Sequence, residues 1–253
     1  MPKKGKKKSN GKSQNSVSKL KSSGSKARAD SSWADSSLRC EVESVFYKTK
    51  WGDQMRHKCI KNDLVQDGSI FEIKNLITKS EAKKLIDIAE KAGFAESFQR
   101  ETRECAYRQN GRLQFNSEAL ALLLYKRIFR HFCIVEPNLK PVGLSDNFRL
   151  YKYTPGQKFG PHIDESVTAT SGHETLFTLL IYLNDEGLEG GETVFYEAGS
   201  YPGHCMKVLL KYKPKVCNGL IHMHGDNCLL HEGSEVKVGL KYLLRTDVCY
   251  ALP

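Results

Sequence analysis

Between Asn147 and Tyr250 the chain is a succession of short β-rich runs, NFRLYKY, TLFTLLIYLN, GETVFY, KVLLKYK, CNGLIHM, NCLLH and VGLKYLLRTDVCY, separated by Gly, Asn, Asp and Pro. β-Branched and aromatic side chains suit a pleated surface, and the turn residues stop each run after a few residues. Many short strands so punctuated build an antiparallel sandwich or barrel. The preceding chain has a different pattern. In TKSEAKKLIDIAEKAGF, Thr78 and Glu81 form a capping box, Leu85, Ile86, Ala89 and Ala92 share one face, and Gly93 ends the helix. NSEALALLLYKRIFRHF starts on the capping residues Asn116 and Ser117 and carries Leu120, Leu123, Leu124, Ile128 and Phe129 at helical spacing. GSIFEIKNLI reads as a short strand before the first of these helices. Helices first and strands afterwards give an α+β chain, with the helices buttressing one outer face of a jelly-roll β core.

Length and charge refine this division. A chain of 253 residues suits one well-buried core with accessory segments better than two independent domains. The net charge of +10 is a property of one end: residues 1–29 hold ten Lys or Arg and no acid, and the remainder carries 29 basic and 29 acidic residues. Residues 1–38 read as a disordered Lys/Ser-rich basic tail with too little to bury, 39–140 as a helical and mixed segment, and 141–253 as the β domain. The tail suits a nuclear import signal, a contact to nucleic acid or another anionic surface, or a solubilising extension. The sequence lacks an apolar run of membrane-spanning length and an N-terminal signal-peptide core, so the expectation is no membrane span and an intracellular protein, cytoplasmic or nuclear. Eight cysteines without a Cys-x-x-Cys pair read as reduced, mostly buried thiols.

The chemistry concentrates in YTPGQKFGPHIDES. His162 and Asp164, one residue apart, can turn two side chains toward one point. Alone the pair is a weak signal. His231, at the end of NCLLHEG, adds an imidazole from a distant strand end. Two nitrogens and a carboxylate on one face of an ion leave three adjacent positions open, which suits non-haem Fe(II) binding a co-substrate together with dioxygen. Ten residues beyond lies Lys241, and strand alternation puts Lys241, Leu243 and Arg245 on one face. A cation pointing into a β core is costly unless an anion meets it.

The series Tyr153-x-Pro-Gly-Gln-x-Phe-x-Pro-His162-x-Asp164, then LIYLND and GGETVFY, then His231 with Gly239-x-Lys241 beyond it, resembles the catalytic domain of the prolyl 4-hydroxylase-like dioxygenases dependent on 2-oxoglutarate and Fe(II). The likeness covers about residues 145–252, and LITKSEAKKLIDIAEKAGF extends it to about residue 70. It implies a double-stranded β-helix (jelly-roll), with His162, Asp164 and His231 as the catalytic iron ligands. Lys241 would pair the distal carboxylate of 2-oxoglutarate, with Arg245 as the alternative cation or as a partner of Asp247 or Glu232. Tyr153 and Tyr182 would face the 2-oxoglutarate pocket, Tyr182 by the surer position, with Thr193 lining it. The implied cofactors are Fe(II), 2-oxoglutarate as co-substrate, O2, and L-ascorbate as reductant. The implied reaction hydroxylates a carbon of a protein or peptide substrate, proline being the family's eponymous target, and releases succinate and CO2. The sequence is closer to an intracellular branch than to the collagen-modifying enzymes. Two other readings remain at this stage: oxidative demethylation or hydroxylation of nucleic acid, and a catalytically silent binding module on the same fold.

Five further features have plain structural readings. His222 and His224 share a strand face without a third ligand and read as residues near the mouth or in solvent, rather than as a second metal site. His173 and His204 read as surface loop residues. RQNGRLQF has the Asn-Gly chemistry of a hairpin turn, on the surface or over the active site. The glycines of EGLEGGE read as a tight turn, and Cys228 and Cys249 as inert thiols.

Overall fold

The computed structural model describes residues 32–47, 58–103, 105–132, 139–202 and 206–251. The expectations for residues 1–31, Trp51, Cys133, His204 and Cys205 concern residues outside that set. Helix α1 spans Ser32–Tyr47, α2 Lys79–Ala92 and α3 Glu118–Ile128. The tail boundary at residue 38 is therefore corrected: Leu38, Val42, Val45 and Phe46 recur at helical spacing and are buried, so chain from Ser32 onward packs. In α2, the Thr78 hydroxyl accepts from the Glu81 amide and the Glu81 carboxylate accepts from the Thr78 amide, which satisfies two unpaired helix-end donors. In α3, the Ser117 hydroxyl caps the Leu120 amide. Ala92 and Phe129 are exposed, so the buried stripes are narrower than the sequence suggests.

Glu81 also joins the helices. Its carboxylate receives a forked pair from Arg127 of α3, at 2.7 and 3.0 Å, while Arg127 donates to the Leu76 carbonyl and packs on the Phe46 ring of α1. Both partners are buried. Replacing Arg127 with alanine leaves a buried carboxylate without its cation, and a loss of about 3–5 kcal/mol is expected. Urea unfolding of Arg127→Ala measures it, and a loss below about 1 kcal/mol would show the pair to be solvated.

The strands in chain order are β1 (Ile60–Asp63), β2 (Ile70–Lys74), β3 (Ala95–Gln99), β4 (Arg108–Asn116), β5 (Lys140–Leu144), β6 (Asn147–Tyr153), β7 (Phe159–His162) and β8 (Glu174–Tyr182). After them come β9 (Glu189–Gly190), β10 (Thr193–Tyr196), β11 (Val208–Tyr212), β12 (Gly219–Met223), β13 (His231–Gly233), β14 (Val236–Val238) and β15 (Lys241–Ala251). One wall follows the order β1-β2-β12-β8-β15-β6-β4, and the other follows β7-β13-β10-β11. The two join through the single pairing of Arg108 with Phe159. Phe115, Phe148, Leu150, Leu179, Ile181 and Leu244 turn the outer face of the first wall onto the three helices. The inner faces close on each other through a separate cluster that includes Tyr151, Tyr153, Tyr182, Phe195 and Leu243. This is the expected jelly-roll with helices against one outer face.

Two expectations fail for related reasons. The single core holds from Ser32 onward, but 140/141 is not the edge of the β domain, because β4, from the segment read as helical and mixed, lies between β6 and β7. RQNGRLQF is not a hairpin turn but β4 itself. Gly111 sits mid-strand, where an added Cβ would lie 2.9 Å from the Phe94 Cβ, so the glycine serves close packing rather than chain reversal. Cysteines differ as well: Cys217 and Cys249 are buried, but Cys40 and Cys105 are exposed.

Candidate active site

Alternation along five neighbouring strands builds the inner face of the first wall. Lys241, Leu243, Arg245 and Asp247 of β15 lie beside Tyr153, Tyr151 and Arg149 of β6 on one side and Tyr182, Leu180 and Thr178 of β8 on the other. From the opposite wall, β7 ends at His162 and β13 begins at His231, and these two residues pair across the ladder. Asp164 follows β7 directly. The structure brings His162, Asp164 and His231 together, with one donor atom of each lying within 4.8 Å of the others.

Each of the three side chains is oriented by a second contact. His162 uses Nδ1 on the Gly160 carbonyl at 2.8 Å, and His231 uses Nδ1 on the Leu229 carbonyl at 2.9 Å. Both Nε2 atoms are thereby left facing Asp164, at 3.6 and 3.7 Å from its oxygens. Asp164 accepts from Thr178 Oγ1 at 2.8 Å and from Arg245 Nη1 at 3.0 Å, while its amide donates to Cys228 Sγ at 3.3 Å. Burial would raise the Asp164 pKa, but Arg245 foremost holds it well below the usual carboxylate range. Burial, followed by repulsion from His231, pushes His162 down to about 3. Burial alone would lower His231, yet the adjacent Asp164 outweighs it and keeps this imidazole raised. An ionised carboxylate and two imidazoles with committed Nδ1 atoms fit a divalent ion, because outer hydrogen bonds of this kind fix ligand tautomer and direction.

A second set within the same spacing, His222, Cys228 and His231, shares one imidazole with the first. Its thiol approaches His231 on the Nδ1 side, at 3.7 Å, away from the Nε2 that faces Asp164. His222 and His224 are both buried, which corrects the mouth-or-solvent reading. His222, on β12, packs beside Phe195 and His231 of the opposite wall, and His224, one residue past the strand, packs against Thr178 of β8. His222 lines the cavity, its Nε2 lies 3.8 Å from Asp164, and that nitrogen has no hydrogen-bond partner among the described residues.

The cavity is lined by Tyr151, Tyr153, Thr193 and Lys241 as well as by the His and Asp set. Lys241 is buried, its ammonium donates to the Gly191 carbonyl at 2.6 Å, and it has no acid within ion-pair distance among the described residues. Burial lowers its pKa to about 8, against a weaker opposing pull from Glu192. Gly191 adopts φ +70°, so the GGETVF glycines do more than turn the chain: one presents this carbonyl to Lys241. The Tyr153 hydroxyl accepts from Asn110 at 3.0 Å. Tyr182, the surer of the two tyrosines by sequence, lies behind the lining, fully buried and with its hydroxyl 2.7 Å from Thr193. Arg245 is engaged by Asp164 and by Asp247, the second of these as the sequence allowed. His173 is half-buried and contacts the Ser171 hydroxyl.

Sequence reasoning missed Thr178, Tyr151 and Asn110. The signal for the first two was available, since Thr178 shares the strand face of Tyr182, and Tyr151 that of Tyr153.

The 2OG-Fe(II) oxygenase superfamily model matches residues 148–246, from the start of β6 to the Arg245 end of the inner face. This segment is a 2OG-Fe(II) oxygenase domain. Among solved structures, the oxygenase is similar to a Trichoplax adhaerens prolyl hydroxylase in complex with a hypoxia inducible factor peptide fragment, at 14% identity and TM-score 0.54, over 87% of this chain and 94% of that one. A viral collagen prolyl hydroxylase from Paramecium Bursaria Chlorella virus-1 aligns at 22% identity and TM-score 0.47, over 73% of this chain and 97% of that one. A Pseudomonas putida prolyl-4-hydroxylase aligns at 13% identity and TM-score 0.49, over 82% and 98%. A search of curated protein sequences gives no significant match. Among the described residues, no helix of the oxygenase is long and apolar enough to cross a membrane.

Proposed function

We propose that the oxygenase hydroxylates a carbon of a protein or peptide side chain, with proline the first candidate, and that His162, Asp164 and His231 hold its Fe(II). The observation that carries the reading is a buried lysine without an acidic partner among the described residues, in the same cavity as a convergent His, Asp and His set. When bound, the metal with 2-oxoglutarate and O2 supplies the oxidising power that turns C–H into C–OH, with succinate and CO2 as by-products.

The chain's own residues bind, orient and exclude water. Lys241 meets the distal carboxylate of 2-oxoglutarate, and the Tyr153 hydroxyl, held by Asn110, is free to donate a second hydrogen bond to the co-substrate. Thr193, on the opposite wall, is held at the cavity by the Tyr182 hydroxyl. Arg245 and Thr178 keep Asp164 ionised and aimed. Phe159, Leu180 and Leu243 form the apolar side that keeps water from the reacting carbon. Ascorbate serves as the reductant that maintains ferrous iron. The similarity of the fold to that of a prolyl hydroxylase in complex with a peptide fragment supports a peptide as substrate.

Purified protein with Fe(II), ascorbate and 2-oxoglutarate in air is expected to form succinate slowly alone, and faster with a subset of proline-containing peptides that gain one oxygen atom by mass spectrometry. Succinate formation absent with every peptide, while the metal and 2-oxoglutarate bind, would overturn the reading.

A further inference from the structure

The inner face carries more positive charge than a co-substrate and a metal set require. Cross-strand ranks are visible in the register: Tyr153 stands beside Lys241, Arg112 and Leu243 flank Tyr151, and Gln114 and Arg245 flank Arg149. Successive ranks lie about 7 Å apart. At the head of β4, Arg108 lays its guanidinium over the Tyr151 and Phe159 rings, at 5.0 and 4.9 Å from their centroids. Tyr151 is thus surrounded by Arg108, Arg112, Arg149 and Arg245.

The acids nearby do not balance this cluster. Arg245 takes Asp164 and Asp247, and among the described residues Arg149 reaches only the same Asp247, at 3.8 Å. Arg112 donates to the neutral Gln114, and the Arg108 side chain has no hydrogen bond or ion pair among the described residues. The Nε atoms of Arg108 and Arg149 are buried without a partner. Burial lowers the Arg112 pKa, and the other three guanidiniums add to that effect, which is the mark of mutual repulsion. Half-buried like charges cost stability, and a fold sustains them where a ligand supplies the compensating charge. The distal carboxylate of 2-oxoglutarate is not that ligand, since Lys241 lies two ranks from Arg149.

We infer that the primary substrate is an acidic peptide, one of whose carboxylate side chains lies against Arg108, Arg112 and Arg149 beside Tyr151, setting a neighbouring residue at the metal-side wall of the cavity. The inference rests on the proposed function and names its substrate class. Guanidinium forks match carboxylates two hydrogen bonds at a time. A nucleic acid suits the face less well. Phe159 is stacked on His162 at 3.6 Å and covered by Arg108, and Tyr151 is covered by the same guanidinium, so ring faces that bases would stack on are already in use.

The test measures binding, independently of turnover. Protein loaded with Mn(II) and 2-oxoglutarate is titrated into a fluorescent peptide of three Pro-Asp-Gly repeats, its Pro-Asn-Gly counterpart, a Pro-phosphoserine-Gly counterpart and a single-stranded oligonucleotide of similar length, with anisotropy as the readout. The expected result is about tenfold tighter binding of the Asp peptide than of the Asn peptide, a preference that collapses toward unity in Arg112→Gln and Arg108→Gln and returns in Arg108→Lys. Lys83→Gln, an equal charge change on the exposed face of α2, should keep the preference. Equal affinity for the Asp and Asn peptides, or a preference that survives both glutamine variants, would overturn the inference. So would tighter binding of the oligonucleotide or the phosphopeptide, each of which names a different anion. Melting temperatures close to wild type certify that the variants are folded. If slow succinate formation persists while acid discrimination is absent, the inference falls and the proposed function stands.

Discussion

His231→Ala is expected to abolish succinate formation and to weaken metal binding by more than about a hundredfold. Loss of an outer hydrogen bond to a metal ligand already costs about 10- to 100-fold, and here a proposed ligand itself is removed. The imidazole is well placed to matter: its Nδ1 is fixed on the Leu229 carbonyl, and its Nε2 faces Asp164 at 3.7 Å. Cys228→Ser provides the contrast. The thiol lies near Nδ1 and accepts from the Asp164 amide, so its replacement should cost no more than about tenfold in metal affinity. Equilibrium dialysis with Mn(II) or Co(II) separates the two alternatives. If Cys228→Ser loses the metal as completely as His231→Ala, the ion sits in the His222, Cys228 and His231 set, and the assignment to His162, Asp164 and His231 is wrong.

The parts of this site that were legible in the sequence are those fixed by short spacing or by strand parity. His162 and Asp164 lie one residue apart, and Lys241 shares a face with Arg245, whatever the rest of the chain does. Capping chemistry likewise located α2 and α3 within a residue or two. What could not be read depended on strand order. Nothing local says that β4 inserts between β6 and β7, and so its Asn-Gly pair was taken for a turn when it is a buried donor to Tyr153 followed by a packing glycine. The burial of His222 and His224 has a related origin, since it depends on distant elements: Phe195 and His231 of the opposite wall cover His222, and Thr178 of β8 meets His224. Tyr182 faces the pocket side by parity, but its reach to solvent depends on Thr193 from the opposite wall, which intercepts its hydroxyl.

Lys241→Ala is expected to raise the 2-oxoglutarate KM by about a hundredfold with a smaller effect on kcat, because a charge-assisted hydrogen bond to a carboxylate contributes about 1.5–3 kcal/mol and acts in binding. High 2-oxoglutarate should therefore rescue this variant, whereas it cannot rescue His231→Ala. The pH dependence supplies a sharper signature. Burial holds the free lysine at about 8, down from 10.5, and an incoming carboxylate favours its charged form. Affinity for 2-oxoglutarate should be flat below about pH 8 and fall by up to tenfold per pH unit above it, until the pKa of the complex is reached. Folding has the opposite sign. The folded protein binds fewer protons at this lysine than the unfolded chain between about 8 and 10.5, so the unliganded protein gains stability from this group as the pH rises through that window. Calorimetric titration of 2-oxoglutarate across the window reads the first effect, and Lys241→Ala should lose it along with the affinity. An identical fall in wild type and Lys241→Ala would assign the titration to another group. Arg245, tied to Asp164 and Asp247, cannot replace the lysine without releasing a carboxylate of the proposed metal set, which is why the proposed co-substrate contact is Lys241.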